Sequence, residues 1–463
     1  MSVTPEPAND STPVPWRDWL IALISAALAG IAATAAVWLY SRLHNGIYNA
    51  AFGPLADALQ QIASWAPALI PALGGVIIAL VIGWMMKGKP LPGFGHVIYS
   101  VAAEHGKLPW YRGLAYMVGA VISLGFGIPV GADVPAAMAG AYLSSWGGQR
   151  WRARAELLQA LVISGIAAGI AYNYGAHVAG ALFALEITYG GFGNWRIITA
   201  SLIGASMAAI ATVLIGPANP VYQVPADAVI FGGGALIVYI GLALVAGVVG
   251  TIFIRLLATA SLTLAKLPLI GRAALVGLII GVISLFVPGI LGSGVSTAQS
   301  IFSGQSFTVT ALLVILFGRL VLVPVAMRNG FNGGVIGPSL VMGAALGSLA
   351  AQIVIPLFPG IGLTPLQLEL VGAAAVVAAT TRGAVFATIL IVEMTGSISF
   401  MGPVLLAVAS GYLLSQRLDA RSAYTFGFPA WGIRMTRGGH TLLGTLTPAA
   451  HAAGVVPDEA GRP

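Results

Sequence analysis

Apolar residues run along this chain in long blocks separated by short polar turns. Leu20 to Tyr40 and Pro67 to Met86 contain no charged residue. As helices rising 1.5 Å per residue, each is long enough to cross about 30 Å of hydrocarbon. A weakly amphipathic stretch, Ala51 to Trp65, joins them, and the basic turn Lys87-Gly88-Lys89-Pro90 follows. Gly93-Phe94-Gly95-His96 then opens an apolar run of only about nine residues, too short to span. Further apolar segments lie at Leu114 to Leu124, Val134 to Leu143, Leu157 to Ala171, Val178 to Ile187 and Ile197 to Ile215. Several are half-spans broken by Gly or Pro, which a bilayer tolerates where the broken backbone lines a cavity or is buried in protein. Val229 to Leu257 and Ala274 to Val287 continue the pattern beyond a polar, Pro-rich linker at 216–227. The pattern predicts an all-α polytopic membrane protein. Residues 1–15 form a polar tail expected to be disordered, and 438–463 a second tail. Leu20 to Tyr40, behind Arg17 and Asp18, reads as an uncleaved signal anchor.

The second half of the chain repeats the first. From Gly131 to Ala141 the order is G-x-x-x-P-x-x-x-x-G-A, and Gly334 to Ala344 repeats it at an offset of 203. Gly292-Ser293-Gly294 stands where Gly93-Phe94-Gly95 stood, at an offset of 199, and Glu393-Met394-Thr395 matches Glu186-Ile187-Thr188 at 207. Three matches in one order identify a divergent duplication, with halves at 16–215 and 228–437. Transporters built this way place their site between discontinuous helices near the midplane. Each Gly/Pro break starts a helix, with Pro where a first turn tolerates a missing N–H. A helix N-terminus exposes backbone amides and the positive end of the dipole, which favours an anion.

Composition agrees with this reading. Charged residues are 8% of the 463 and hydrophobic residues 58%, against roughly a quarter charged in soluble domains. The net charge of +7 comes from basic residues scattered at helix ends, as for loop anchors, not from a face suited to nucleic acid. With no cysteine, disulfides, thiolate metal sites and cysteine nucleophiles are excluded. The histidines, His44, His96, His105, His177, His440 and His451, lack metal-ligand spacing. No nucleophile and base pair is visible, so an enzyme is not expected, and no cofactor or metal is implied. Phe231-Gly232-Gly233-Gly234 lacks the Lys-Ser/Thr of a phosphate loop and reads as packing or hinge glycines. Arg319, deep in an apolar run, either pairs within the bundle or attracts anions.

Six carboxylates lie between Tyr111 and Leu418: Asp133, Glu156, Glu186, Asp227, Glu369 and Glu393. Glu156, Asp227 and Glu369 neighbour basic or Pro-containing turns and read as interfacial. Glu186 and Glu393 are repeat mates inside apolar helices, where acids are functional candidates; a duplicated pair also suits the capping of backbone amides. Asp133 opens a helix, where an acid offsets the dipole.

With these residues in place, the chain resembles the CLC family of chloride channels and chloride/proton exchangers from about Pro90 to Gly427. The first signature, G-S-G-I-P, falls on Gly93-Phe94-Gly95-His96-Val97. The second, G-[KR]-E-G-P, falls on Gly131-Ala132-Asp133-Val134-Pro135, and the third, G-x-F-x-P, on Gly334-Val335-Ile336-Gly337-Pro338. Gly125-Phe126-Gly127-Ile128-Pro129 also resembles the first signature but abuts the second, whereas the family spaces them widely, so it is set aside. The resemblance implies an inverted pair of helical repeats, a homodimer and one anion pathway per subunit; the Ala/Gly/Arg-rich composition points to a bacterial inner membrane. The implied anion site comprises Gly93, Phe94, Gly95, His96, Val134, Val335, Ile336 and Tyr424.

The departures carry the functional expectation. The family's gating, proton-carrying glutamate is placed at Val134, with Asp133 beside it pointing some 100° away around the helix. Phe94 replaces the serine whose hydroxyl coordinates the anion, Ile336 replaces the phenylalanine, and Ile187 stands at the inward proton-relay position. Asp133 and Glu186 are the proton-linked candidates left. The chain is therefore expected to form a passive, proton-uncoupled channel or uniporter for chloride or a similar anion. Two alternatives stay open: a CLC-fold protein whose plugged pathway serves as a partner or scaffold, and a transporter of another solute.

Overall fold

The computed structural model describes residues 16–435, 442 and 443, except 88, 90, 92, 193, 217–221, 225–231, 261–263 and 265. The tail at 1–15, most of the linker at 216–227, Asp227, Phe231, His440 and His451 lie outside the described residues, as does the tail at 438–463 apart from two residues.

The first half contains α1 (Trp16–Ala50), α2 (Ala56–Ile62), α3 (Leu69–Met86), α4 (Phe94–Ala103), α5 (Trp110–Gly125), α6 (Asp133–Arg150), α7 (Ala155–Tyr174), α8 (His177–Leu182) and α9 (Trp195–Ile215). A π-helical turn, Ala51–Leu55, links α1 to α2 at Pro54, and a second, Phe183–Tyr189, prolongs α8. The second half contains α10 (Gly233–Thr259), α11 (Leu269–Ser284), α12 (Val295–Phe302), α13 (Val309–Arg328), α14 (Ile336–Leu357), α15 (Pro365–Thr381), α16 (Ala384–Thr395) and α17 (Met401–Leu418). A two-residue antiparallel pairing, Arg434–Met435 with Leu442–Leu443, is the one sheet among the described residues. Eight described helices are long and apolar enough to cross a membrane, and α4 and α12 are short, as the sequence predicts.

The halves match element by element. α6 packs on α7 as α14 packs on α15, and α1 on α7 as α10 on α15. The packing depends on small residues: a Cβ on Gly140 would strike the Gly165 carbonyl, and one on Gly343 the carbonyl of Gly372. With lipid as apolar as leucine, such close backbone approach supplies the van der Waals contact that holds helices together. Contacts between the halves are reciprocal. α3 meets its mate α11, and α8 meets α16. Gly131 and Gly334 form an isolated antiparallel bridge, each N–H donating to the other's carbonyl at 2.7 and 2.6 Å. An element that pairs with its own repeat mate marks the pseudo-two-fold axis of an inverted repeat. That axis brings the N-termini of α6 and α14 together in the protein interior.

Candidate anion-binding site

The Gly131–Gly334 bridge seats one carboxylate. Asp133, the first residue of α6, is fully buried. A Cβ on either bridge glycine would collide with its carboxylate, so this seating of the carboxylate needs glycine at both places. Asp133 Oδ2 accepts the Val335 N–H at 3.1 Å and the Tyr424 hydroxyl at 3.4 Å. The Ile336 amide and Asp133's own amide also face the carboxylate, while Oδ1 has no hydrogen-bond partner among the described residues. The carboxylate thus occupies donors at the N-terminus of α14, where an anion is favoured by free amides and the helix dipole.

This arrangement corrects two expectations. In G-[KR]-E-G-P the acid holds the third of five places, so on Gly131 to Pro135 it falls on Asp133 and not on Val134. Nor does the 100° separation from Val134 keep Asp133 off the donors: its carboxylate reaches across the bridge to the second half of the chain. Val134 is buried and apolar beside it.

Tyr424 is held in place by its loop. The Ala423 N–H donates to the Thr380 carbonyl at 2.8 Å, and the Tyr424 N–H to Ser422 Oγ at 3.2 Å. Its ring meets Phe94 edge-on at 5.3 Å and Phe183 at 5.9 Å, and Phe183 meets Phe386 at 5.3 Å. All four rings are buried. Gly93 is exposed at the start of α4, while Phe94, next to it, is buried against the Tyr424 ring. Of the anticipated site residues, the structure brings Phe94, Val335, Ile336 and Tyr424 towards Asp133 and leaves Gly93 at the surface. Gly95 lies against the Tyr424 carbonyl. His96 hydrogen-bonds the Tyr142 hydroxyl through Nδ1 at 3.2 Å, which suits a packing role. Gly125 and Gly127 abut Ile47, Phe52 and Leu291 instead. Sequence reasoning missed Phe183, Phe386 and the seating role of Gly131 and Gly334.

Glu186 is engaged elsewhere. Its carboxylate accepts the N–H groups of Ala384, Val385 and Phe386 at 2.8, 3.2 and 2.8 Å, capping α16. Glu393 returns the arrangement, accepting the Val178 and Ala179 N–H groups at 3.0 and 2.7 Å at the start of α8. Three amide bonds hold the Glu186 carboxylate as a cap on α16; Ile187 beside it is buried. Arg319, also fully buried, donates to the carbonyls of Gly289, Leu291 and Gly292 and ties down the turn before α12. Among the described residues no group of three His, Asp or Glu could hold a metal ion.

A buried carboxylate on helix-terminal donors, at the axis of an inverted repeat of broken membrane helices, defines an anion-handling membrane transport protein. The family model for voltage-gated chloride channels matches residues 74–416, and the chain belongs to that family, the CLC proteins. It is 30% identical over 385 residues to the voltage-gated ClC-type chloride channel ClcB of Shigella flexneri, covering 80% of this chain and 89% of the relative. To the ClcB of Escherichia coli O17:K52:H18 (strain UMN026 / ExPEC) it is 29% identical over 422 residues, 88% of this chain and 98% of that one. A slow cyanobacterial Cl−/H+ antiporter superposes with a TM-score of 0.78 at 25% identity, over 87% of this chain and 96% of that one. A CLC-type fluoride/proton antiporter shares the fold, with a TM-score of 0.74 at 18% identity over 89% and 99% of the two chains. The protein is a multi-pass bacterial inner-membrane protein for CLC-type anion transport.

Proposed function

We propose that the chain is a passive anion uniporter of the chloride class, closed by its own Asp133 and opened when that carboxyl takes up a proton or swings away. The observation carrying this reading is the Asp133 carboxylate on the Val335 N–H and Tyr424 hydroxyl. An ionised carboxylate there competes with a diffusing anion for the same donors. A neutral carboxyl releases them, so flux is expected to rise as pH falls. Coupled exchange needs a second group to pass the proton on. Ile187 has no titratable atom, and Glu186 and Glu393 are bound to helix-terminal amides, which supports proton gating without proton transport. The resemblance implies that the protein works as a homodimer with one pathway per subunit.

The test sets opposing chloride and pH gradients across proteoliposomes and reads the reversal potential. A value at the chloride equilibrium potential, unmoved by the pH gradient while the rate changes with pH, is expected. A reversal potential that follows the pH gradient would establish exchange and overturn the uniport reading. Absence of flux in both the wild type and Asp133→Ala would favour a plugged scaffold.

A further inference from the structure

The turn between α4 and α5 is fastened to the end of α6. Ser145 Oγ donates to the Gly106 carbonyl and accepts the Leu108 N–H at 2.9 Å, and Gln149 Nε2 donates to the Leu108 carbonyl at 2.9 Å. Beside these bonds lies a cavity of about 290 Å3, lined by Leu108, Pro109, Trp110, Trp146, Gln149 and Arg150. Its rim reaches the surface: Trp110 is 57% exposed and Trp146 50%, and Arg150 is exposed in the last turn of α6. Little about the cavity repels an anion. The Gly147, Gly148 and Gln149 carbonyls that end α6 are taken by the Trp151, Ala153 and Arg152 amides. Glu104, the one acid in the turn, is within electrostatic reach of Lys107 and Arg112. Arg150 makes no hydrogen bond or ion pair among the described residues.

These side chains suit a membrane interface. Tryptophan concentrates at headgroup level, where its ring sits in apolar material and its N–H reaches a polar partner. The Arg196–Glu156 pair joins the starts of α7 and α9, so Lys107, Arg112, Arg150, Arg152, Arg154 and Arg196 share one end of the bundle. The turn at the other end of α7, Gly175-Ala176, carries no charge. An excess of Lys and Arg in short loops marks the cytoplasmic side, whose leaflet holds anionic lipids. At roughly 30 Å3 per water, the cavity has room for about ten waters, which fits a phosphate with its glycerol. Leu114, exposed one turn beyond Trp110 on α5, continues an apolar track for an acyl chain. We propose that this cavity binds the headgroup of an anionic phospholipid from the cytoplasmic leaflet. The planar fork of Arg150 matches a phosphate, and the Trp110 and Trp146 rings flank the glycerol. The inference is independent of the Asp133 site, and its failure leaves the transport reading untouched.

Thermal unfolding of the delipidated full chain in maltoside detergent tests the site, because a ligand of the folded state raises its melting temperature. Short-chain phosphatidylglycerol should raise it saturably, and phosphatidylcholine with the same chains should not. Arg150→Gln should move the midpoint of that titration about tenfold to higher lipid, the weight of one hydrogen bond to a charged group at the low end of its range. Arg150→Lys, which keeps the charge but not the fork, should fall between the two. Lys266→Gln, which removes an exposed cation outside the cavity, should leave the midpoint unchanged. Mass spectrometry of lipid carried through purification should find phosphatidylglycerol on wild type and less of it on Trp146→Ala, a readout that decides the question if Arg150→Gln does not fold. Equal stabilisation by the two lipids would overturn the proposal. Equal losses in Arg150→Gln and Lys266→Gln would also overturn it, reducing the effect to net charge. A saturable rise with inorganic phosphate alone, to which the lipid adds nothing, would replace the lipid by a soluble phosphate.

Discussion

Replacing Asp133 by alanine removes the anion already on the site. The carboxylate makes one normal-length hydrogen bond, from the Val335 N–H at 3.1 Å, and one long contact, from the Tyr424 hydroxyl at 3.4 Å. A hydrogen bond to a charged group is worth about 1.5–3 kcal/mol net. Counting only the first, an external anion that no longer displaces it should bind roughly ten- to a hundredfold more tightly, since 1.4 kcal/mol is a factor of ten. Calorimetric titration with bromide in detergent at neutral pH reads this directly. Wild type is expected to bind in the millimolar range or more weakly, because ordinary weak affinities of about 1 mM correspond to only about 4 kcal/mol. Asp133→Asn, neutral and nearly isosteric, should move affinity in the same direction and make flux insensitive to pH. Equal affinity in wild type, Asp133→Ala and Asp133→Asn, with all three monodisperse and equally helical, would refute the claim that the carboxylate competes for the anion's donors.

Gly334→Ala places a methyl group where the Asp133 carboxylate sits, so the carboxylate must leave and the variant should conduct at pH values where wild type is closed; a pH profile of efflux identical to wild type would contradict the seating described. Phe94→Ser should strengthen chloride binding by about tenfold through its added donor, as measured by calorimetry. Glu186→Gln keeps the shape of the α16 cap but not its charge; it should lower the melting temperature in detergent while leaving the reversal potential in opposed gradients unchanged. Asp419, beyond the end of α17, is held below the usual carboxylate range chiefly by the hydrogen bond from Arg421. A carboxyl depressed in the folded state contributes stability above its unfolded pKa of about 3.9 and loses it as pH falls through its lower folded value. The melting temperatures of Asp419→Asn and wild type should therefore differ at pH 7 and converge in acid.

Much of the architecture was legible because it repeats. The matched breaks at Gly131 and Gly334, and the acids at Glu186 and Glu393, mark the repeat in the sequence itself, and the apolar run after Gly93 is too short to span. The carboxylate's destination was harder to read. Asp133 was correctly placed in the first turn of a helix, yet its firm hydrogen bond goes to Val335, in the other half of the chain; local capping rules cannot reach so far. A count of places in the second signature would still have put the acid there. Phe183 and Phe386 gave no signal, because an aromatic residue in an apolar helix looks the same whether it faces lipid, core or Tyr424. Helix lengths were underread where breaks were gradual: the first span runs as α1 from Trp16 to Ala50, well past Tyr40.

The exchanged caps, Glu186 on α16 and Glu393 on α8, bear on how the chain is made. When the first half leaves the ribosome, Glu186 has no amides to bind and the start of α8 has no acceptor. In the folded chain both are supplied by the other half. An unpaired carboxylate at membrane depth is costly, and the amides that relieve that cost for Glu186 arrive on α16, nearly two hundred residues later. The same exchange is what two separate copies, inserted in opposite orientations, would have made across their interface before their genes were joined. Fusion would then have placed both partners of an existing handshake on one chain, fixing their ratio.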